Sequence, residues 1–362
     1  MSVITLPSLV IASAGAQPMG QDRFDLNEVS DVTGYGTANA GAPPRWRTGL
    51  EAARFLTLDE AAEWEAMVLR LRGRINHLAV HDLVRPLPLG TARGTGLTSV
   101  GTTAQGATSV AITGAYGRNR CRASRSIDNA AWTKTTGVTV TANYASAPAG
   151  LPGAAERVQY NGTGTSGSFR VYEDAAGDLF IPAAGQQGVC SVYLTAVAGT
   201  PTVRIGNNLG NFTVCPLNTS WQRFSVAGVG NGSSALQLLL YSNAADNAAW
   251  DIAMYGAQIE TGTTPTDYET GPTLNRGDWL QIGTGVGSHY CKTVDPVTLD
   301  DLGAGTVTFE PPTRKAFAAG SAITIERPVG HFKLVNAQTR WAPLAGAPAF
   351  SGFALDLQEQ WA

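Results

Sequence analysis

WDIAMYGAQIETGTTPTDY, residues 250–268, places apolar and polar side chains in near alternation up to Glu260, then breaks into Gly262, Pro265 and small hydroxyl residues. Such a pattern describes a partly buried strand that runs into a turn, here the last strand of a β-sandwich with a proline-closed exit. Yet the chain continues to Ala362, and GDWLQIG (277–283) resumes a strand pattern that broke off near Tyr116. An insertion accounts for both facts. Residues 118–272 are expected to form one unit, set inside a host made of residues 1–117 and 273–362.

With 362 residues the chain can hold more than one core. Charged residues are only 15%, while Gly reaches 42 and Pro 19, which favours many short strands joined by tight turns. No apolar run approaches the length of a membrane span. Residues 1–20 lack a basic start and a compact apolar block, so no signal peptide is expected. The net charge of −3 argues against a nucleic-acid partner, which would leave a basic footprint. The four cysteines include no CxxC pair, so buried free thiols are the default, and the spacing leaves the state of Cys190 and Cys215 open.

In the host, VITLPSLVIAS (3–13) reads as a strand interrupted by Pro7, and RWRTGLEAARF (45–55) as a further extended segment. One helix is expected. Thr57 caps it with Glu60 three residues on, Ala61, Trp64, Val68 and Leu71 recur at helical spacing, and Gly73 is placed to end it. INHLAVHDL (75–83), TSVAITGAY (108–116), HYCKTVD (289–295), GTVTFEP (305–311) and HFKLV (331–335) read as strands. In FALDLQEQW (353–361), Phe353, Leu355, Leu357 and Trp361 should share one face. If the host is one β-framework, Leu280 and Phe309 should share an interior with Trp64 and Leu78.

Between Arg118 and Thr273 the character changes to low charge and abundant Asn, Thr, Ala and Gly. Short alternating segments follow one another: GVTVTANY, SFRVYED, CSVYLTAV, PTVRIGN, NFTVCPL, WQRFSVAG and LQLLLYS. Turn signals at such intervals indicate an antiparallel sandwich. The fold class is therefore mainly β: a discontinuous, sandwich- or barrel-like host with one helix, plus an inserted jelly-roll sandwich.

Catalytic chemistry finds little support. GxSxG, HExxH and P-loop motifs are missing, and four histidines limit the general bases. Glu173–Asp174 and Asp300–Asp301 are adjacent pairs, and neighbours on a strand point to opposite faces, so neither makes a glycosidase pair by itself. His77 and His81 would share a strand face, but a metal would need another ligand, and ordinary strand-surface or interface histidines are the expectation. No enzyme is expected.

The host segments EAMVLRLRGRINHLAVHD (65–82), PLGTARG (88–94), GDWLQIG, TVTFEPPTRKA (306–316), IERPVGHFKLV (325–335) and FALDLQEQW resemble, in kind and order, the distal-tail or tail-tip baseplate proteins of long-tailed bacteriophages. The insert is similar to the carbohydrate-binding-type jelly rolls of phage tail and fibre proteins. That likeness rests on SIDNAAWTKTTGVTV (126–140), SVYLTA (191–196), TSWQRFSV (219–226) and YGAQIETGTTPTDY (255–268). NRCRASRS (119–126) departs from the usual opening.

The resemblance implies a structural virion protein of the tail tip, made in the bacterial host cytoplasm. It would self-assemble into a ring, six-fold in preference to three-fold, against the tail tube and other baseplate proteins. The insert would make weak, multivalent contact with a host-surface glycan. Two rivals are an insert that docks another tail or fibre protein, and a polysaccharide-degrading enzyme. A sugar ring stacks its apolar face on an aromatic while polar neighbours bond its hydroxyls. Most insert aromatics must fill the core, Trp132 and Trp221 among them. Tyr172 and Tyr241, with Arg170 and Asn243, are the ligand-facing choices. The likeness also implies a structural Ca²⁺, with Asp128 and Asp251 as candidate ligands and no other cofactor.

Overall fold

Mainly β throughout, the computed structural model describes residues 2–15, 19–22, 26–29, 36–39, 44–52, 54–164, 169–173, 180–242, 248–335, 342–343 and 350–360. Asn243, Asp174 and Trp361 lie outside the described residues. Among those described, no helix is long and apolar enough to cross a membrane.

The insert is an antiparallel jelly-roll sandwich of two five-stranded sheets. In spatial order, one sheet holds Trp132–Lys134, Phe169–Glu173, Leu238–Ser242, Thr202–Asn207 and Phe212–Pro216. The facing sheet holds Val138–Ser146, Ala154–Tyr160, Trp250–Thr261, Gln187–Ala196 and Gln222–Val229. Ile127, Trp132, Val192, Leu194, Ile205 and Met254 pack between them.

Trp250–Thr261 is the central strand of its sheet, and its imperfect alternation has a local cause. Register shifts where Ser191 pairs Gln258 but Tyr193 pairs Tyr255, so one extra residue is accommodated beside Gly256. Gly256 adopts φ 63, and a Cβ there would lie 3.1 Å from the Tyr268 ring. The bulge switches parity. Ile252 and Met254 before it, and Ala257 and Ile259 after it, therefore all enter the same core. Ala154–Tyr160 escaped the sequence reading because Glu156 stands among its core-facing residues, where apolar side chains are the rule.

Asn119 clasps the entry and exit of the sandwich. Its Oδ1 accepts from Ile259 N at 3.0 Å, its Nδ2 donates to Ala257 O at 2.9 Å, and its backbone N donates to Glu269 Oε2 at 2.8 Å. Beside it, Ser124 and Tyr268 share a hydroxyl hydrogen bond of 2.6 Å.

The host strands pair across the insert twice. A seven-stranded sheet sets His77–Val80 beside Gly330–Leu334, and Arg45–Ala52 beside Ala354–Glu359. A closed barrel combines Leu97–Ser99 and Ser109–Thr113 with Trp279–Ile282, His289–Thr293, Gly305–Glu310 and Ala322–Thr324. The expected single interior is corrected. Trp64 and Leu78 pack with Phe332, Phe353 and Leu357, whereas Leu280 and Phe309 pack inside the barrel with Leu97, Val110 and Ile112. Strands Trp279–Ile282 and His289–Thr293 are a wall shared by both. Their period of two sends Trp279 and Tyr290 to one interior, and Leu280, Ile282 and Cys291 to the other.

The long helix is Leu58–Leu71, and the Thr57–Glu60 capping box is formed. Its end is corrected by one residue: Arg72, at φ 48, is the left-handed C-cap, and Gly73 follows at φ 66. A second helix, Ser8–Ser13, stands where a strand was expected. Strand Val3–Thr5 ends before Pro7, and Pro7 begins the helix instead of breaking a longer strand. It is the N-cap in extended geometry, and Ile11 N donates to its carbonyl at 3.0 Å. His77 is not at the surface: it is 1% exposed within a strand buried on both faces, and His81 lies past the strand's end. The four cysteines are buried free thiols.

Candidate functional site

The outer face of the sheet that begins with Trp132–Lys134 carries the most suggestive surface of the insert. Pairing aligns Thr133, Tyr172, Leu239, Gly206 and Phe212 in one row across all five strands. A second row sets Tyr241 opposite Arg204, and Arg204 opposite Val214. The alternate residues Val203, Ile205 and Leu240 point inward to the core. Period two thus leaves this face to the aromatics and the arginine.

Gly206 leaves room on this face for the Tyr241 ring. A Cβ there would meet Tyr241 Cε2 at 2.7 Å, so the Tyr241 ring leans over the glycine. On the neighbouring strand Phe212 is 60% exposed. Between the two rings lies the Arg204 guanidinium, 5.0 Å from the Phe212 centroid and 5.8 Å from that of Tyr241. Arg204 Nε is buried and has no hydrogen-bond acceptor among the described residues. Burial pushes the Tyr241 hydroxyl up from its ordinary value, and Arg204 opposes the shift, so the phenol stays neutral and able to donate. An aromatic shelf with a charged donor at its centre suits a flat ligand that has an apolar face and a polar rim.

Tyr172 and Tyr241 therefore share one outer face, but Arg170 does not join them. A register shift between Phe169 and Val171 turns Arg170 inward, where it is 2% exposed. Its Nε donates to Ser242 Oγ at 3.1 Å, and its guanidinium sits 4.3 Å over the Tyr160 ring. Arg204 and Phe212 were missed. Alternation in PTVRIGN already set Arg204 opposite to Val203 and Ile205, so that signal was readable; which sheet neighbours it faced was not. Trp132 is buried as expected and donates from Nε1 to Ala123 O at 2.9 Å, while Trp221 is half-buried.

The residues proposed for Ca²⁺ do not fit one. Asp251 points to the outside of its sheet, where Arg157 Nε donates to Oδ1 at 2.8 Å and Gln159 Nε2 lies 3.3 Å from Oδ2. Asp128 instead meets Glu156, which shares the core side with Val158 and Tyr160; Asp128 N donates to Glu156 Oε2 at 2.7 Å. A cation already stands at that loop. Lys134 Nζ donates to the carbonyls of Asp128 at 3.0 Å and Asn129 at 2.7 Å. Among the described residues no group of three or more His, Cys, Asp or Glu side chains gathers.

Burial, then the hydrogen bond with the Asp128 carboxyl, pushes the Glu156 carboxyl up to about 8. The folded chain therefore holds this proton more tightly than the unfolded chain. Between pH 4.5, the ordinary value, and about 8, folding stability falls as pH rises. The slope approaches about 1.4 kcal/mol per pH unit. All four histidines are lowered by burial, His289 and His331 to about 4, and act in the opposite sense, an effect that fades as pH rises past their ordinary value of 6.5. Glu156→Gln copies the protonated acid. From pH 6.5 to 8 the urea midpoint of the wild type should fall relative to that of this variant; parallel slopes would remove Glu156 as the cause.

No protein-family description matches the chain, and no curated protein matches it. Among solved structures, an arabinose-bound GH51 α-L-arabinofuranosidase is similar at 11% identity and TM-score 0.31 over 46% of this chain. The enzymatically active domain of bacteriophage CBA120 tailspike protein 4 is similar at 16% identity and TM-score 0.27 over 38% of this chain. The chain spans only 27% and 20% of those two proteins. The CBM22-1 xylan-binding domain from Paenibacillus barcinonensis Xyn10C is similar at 19% identity and TM-score 0.24, over 37% of this chain and 87% of that domain. At these scores the likenesses carry no argument about ligand or partner; the architecture rests on the strand pairing above.

Proposed function

We propose that this chain is a structural virion protein of a phage tail tip that uses residues 118–272 as a glycan-binding module. The observation that carries the binding reading is the Tyr241–Arg204–Phe212 shelf over Gly206, on the outside of a sandwich whose core is complete without it. A hexose stacks its C–H face on the rings, and the solvent-reaching end of the half-buried Arg204 guanidinium donates to a ring-side hydroxyl. Tyr172, in the adjacent row, extends the footprint for a second sugar unit. Neither row contains an Asp or Glu, which favours binding over cleavage.

The host part, with strands from both sides of the insert, is the ring-forming framework in this reading, six-fold by preference, set against the tail tube and its baseplate neighbours. Several modules on one ring raise the effective concentration of weak sites. Exposed Phe212 and Val214, at 60% and 49%, also favour the rival in which this face docks another tail protein.

Arg204→Ala and Phe212→Ala separate the readings. Each should weaken binding to immobilised host-envelope polysaccharide by about tenfold, a loss of about 1.4 kcal/mol, with unchanged thermal midpoints. Wild-type protein that binds no envelope glycan, while both variants lose their place in assembled tails, would replace the glycan reading with the docking one.

A further inference from the structure

The opposite sheet holds a second opening. At one end of its outer face lies a cleft of about 720 Å³, within the size range of small-ligand sites. Its floor is a polar row in register across three adjoining strands: Thr139 pairs Gln159, and Gln159 pairs Asp251. The turn at 198–201 forms one wall, and Gly137 with Asn161 forms another. None of these residues belongs to the aromatic shelf, which lies on the other side of the sandwich.

Asp251 is the charged group of the floor, and Arg157, beside the cleft and outside its lining, neutralises it. Arg157 holds both Asp251 oxygens, with Nε to Oδ1 at 2.8 Å and Nη2 on Oδ2, and Gln159 Nε2 lies 3.3 Å from Oδ2. The carboxylate is thus oriented in advance and keeps one acceptor site, on Oδ1, for a hydroxyl donor. The paired charge gives no net attraction to an anion or a cation. Oriented acceptors, amide and hydroxyl groups, and no net charge select a neutral polyhydroxylated ligand.

We propose that this cleft is a second, independent binding site for a neutral oligosaccharide, so that each insert holds glycan on both of its sheets. The proposal rests on the sugar-binding reading of the insert and adds a site to it. A module with two sites bridges two glycan strands or two segments of one, and raises avidity within a single copy.

The test uses the full chain, titrated by calorimetry with neutral tetra- to hexasaccharides of glucose, galactose, xylose and arabinose. Thr139→Trp fills the cleft from an exposed position, and Gln159→Ala removes a floor group; thermal midpoints verify folding. Two binding events are expected per wild-type chain. Either cleft variant should remove one event, or weaken it at least tenfold, while Arg204→Ala affects the other. Binding unchanged in both cleft variants but lost in Arg204→Ala overturns the cleft and leaves the shelf. Loss only in the cleft variants sustains the cleft and overturns the shelf. No heat with any sugar overturns both.

Discussion

Trp279→Ala should lower folding stability by about 4 kcal/mol, the range found when a buried aromatic is cut back to a methyl group. Trp279 is 3% exposed and stacks on Tyr290 at 4.3 Å with an interplanar angle of 5°. Trp46 meets it edge-on at 4.7 Å, and Lys292 Nζ lies 4.1 Å over its ring. Its Nε1 donates to Asp82 Oδ2 at 2.7 Å, while Asp82 Oδ1 also accepts from Val84 N and Arg85 N. Trp46 and Asp82 precede the insert and Trp279 follows it, so one side chain bolts the two host pieces together. Trp279→Phe keeps most of the volume and drops the hydrogen bond, with an expected cost of about 1–3 kcal/mol for the unsatisfied acceptor. Urea unfolding followed by circular dichroism measures both. A loss under about 1 kcal/mol for the alanine variant would mean that this junction does not hold the host together.

The second large effect is expected at Arg314. Its Nη2 lies 2.9 Å from Glu359 Oε2, with side-chain exposures of 10% and 2%, and also donates to Pro44 O at 2.6 Å. Glu359 Oε2 accepts in turn from Trp46 N at 3.2 Å. Burial leaves the Glu359 carboxyl above its ordinary value, an effect that Arg314 opposes in part, and burial lowers the Arg314 guanidinium to about 10, so each group depends on the other to hold its charge. Arg314→Met strands a carboxylate in the interior and should cost about 3–5 kcal/mol. Adding Glu359→Gln removes that charge and still accepts from Trp46 N, so the double variant should recover at least half of the loss. A double variant no better than the single one would show that the cost lies in packing around the Arg314 stem rather than in the unpaired charge.

How far the chain could be read depended on the range of the interactions involved. The helix at 58–71 was legible because its capping box and apolar stripe are contacts within a few residues. Most strands of the insert, though not Ala154–Tyr160, were legible for the same reason, since alternation reports that each segment has two unlike faces. Pro7 misled because the same φ serves a broken strand and a helix start, and only the packing of residues 8–13 against the long helix chooses between them.

Residues 250–268 set the strand, its exit turn and the return of the host pattern through short-range alternation and turn chemistry. Tertiary structure decided which surfaces each face would meet. It split the host into two interiors, because one strand pair turns Trp279 to one side and Leu280 to the other, and periodicity cannot say that both sides are covered. It took Arg170 into the core through a one-residue register shift and placed Asp128 and Asp251 on opposite sides of a sheet. It also gathered Tyr241, Arg204 and Phe212 from three strands. Strand neighbours and bulges depend on partners distant in sequence, so the local pattern of a segment carries no record of them.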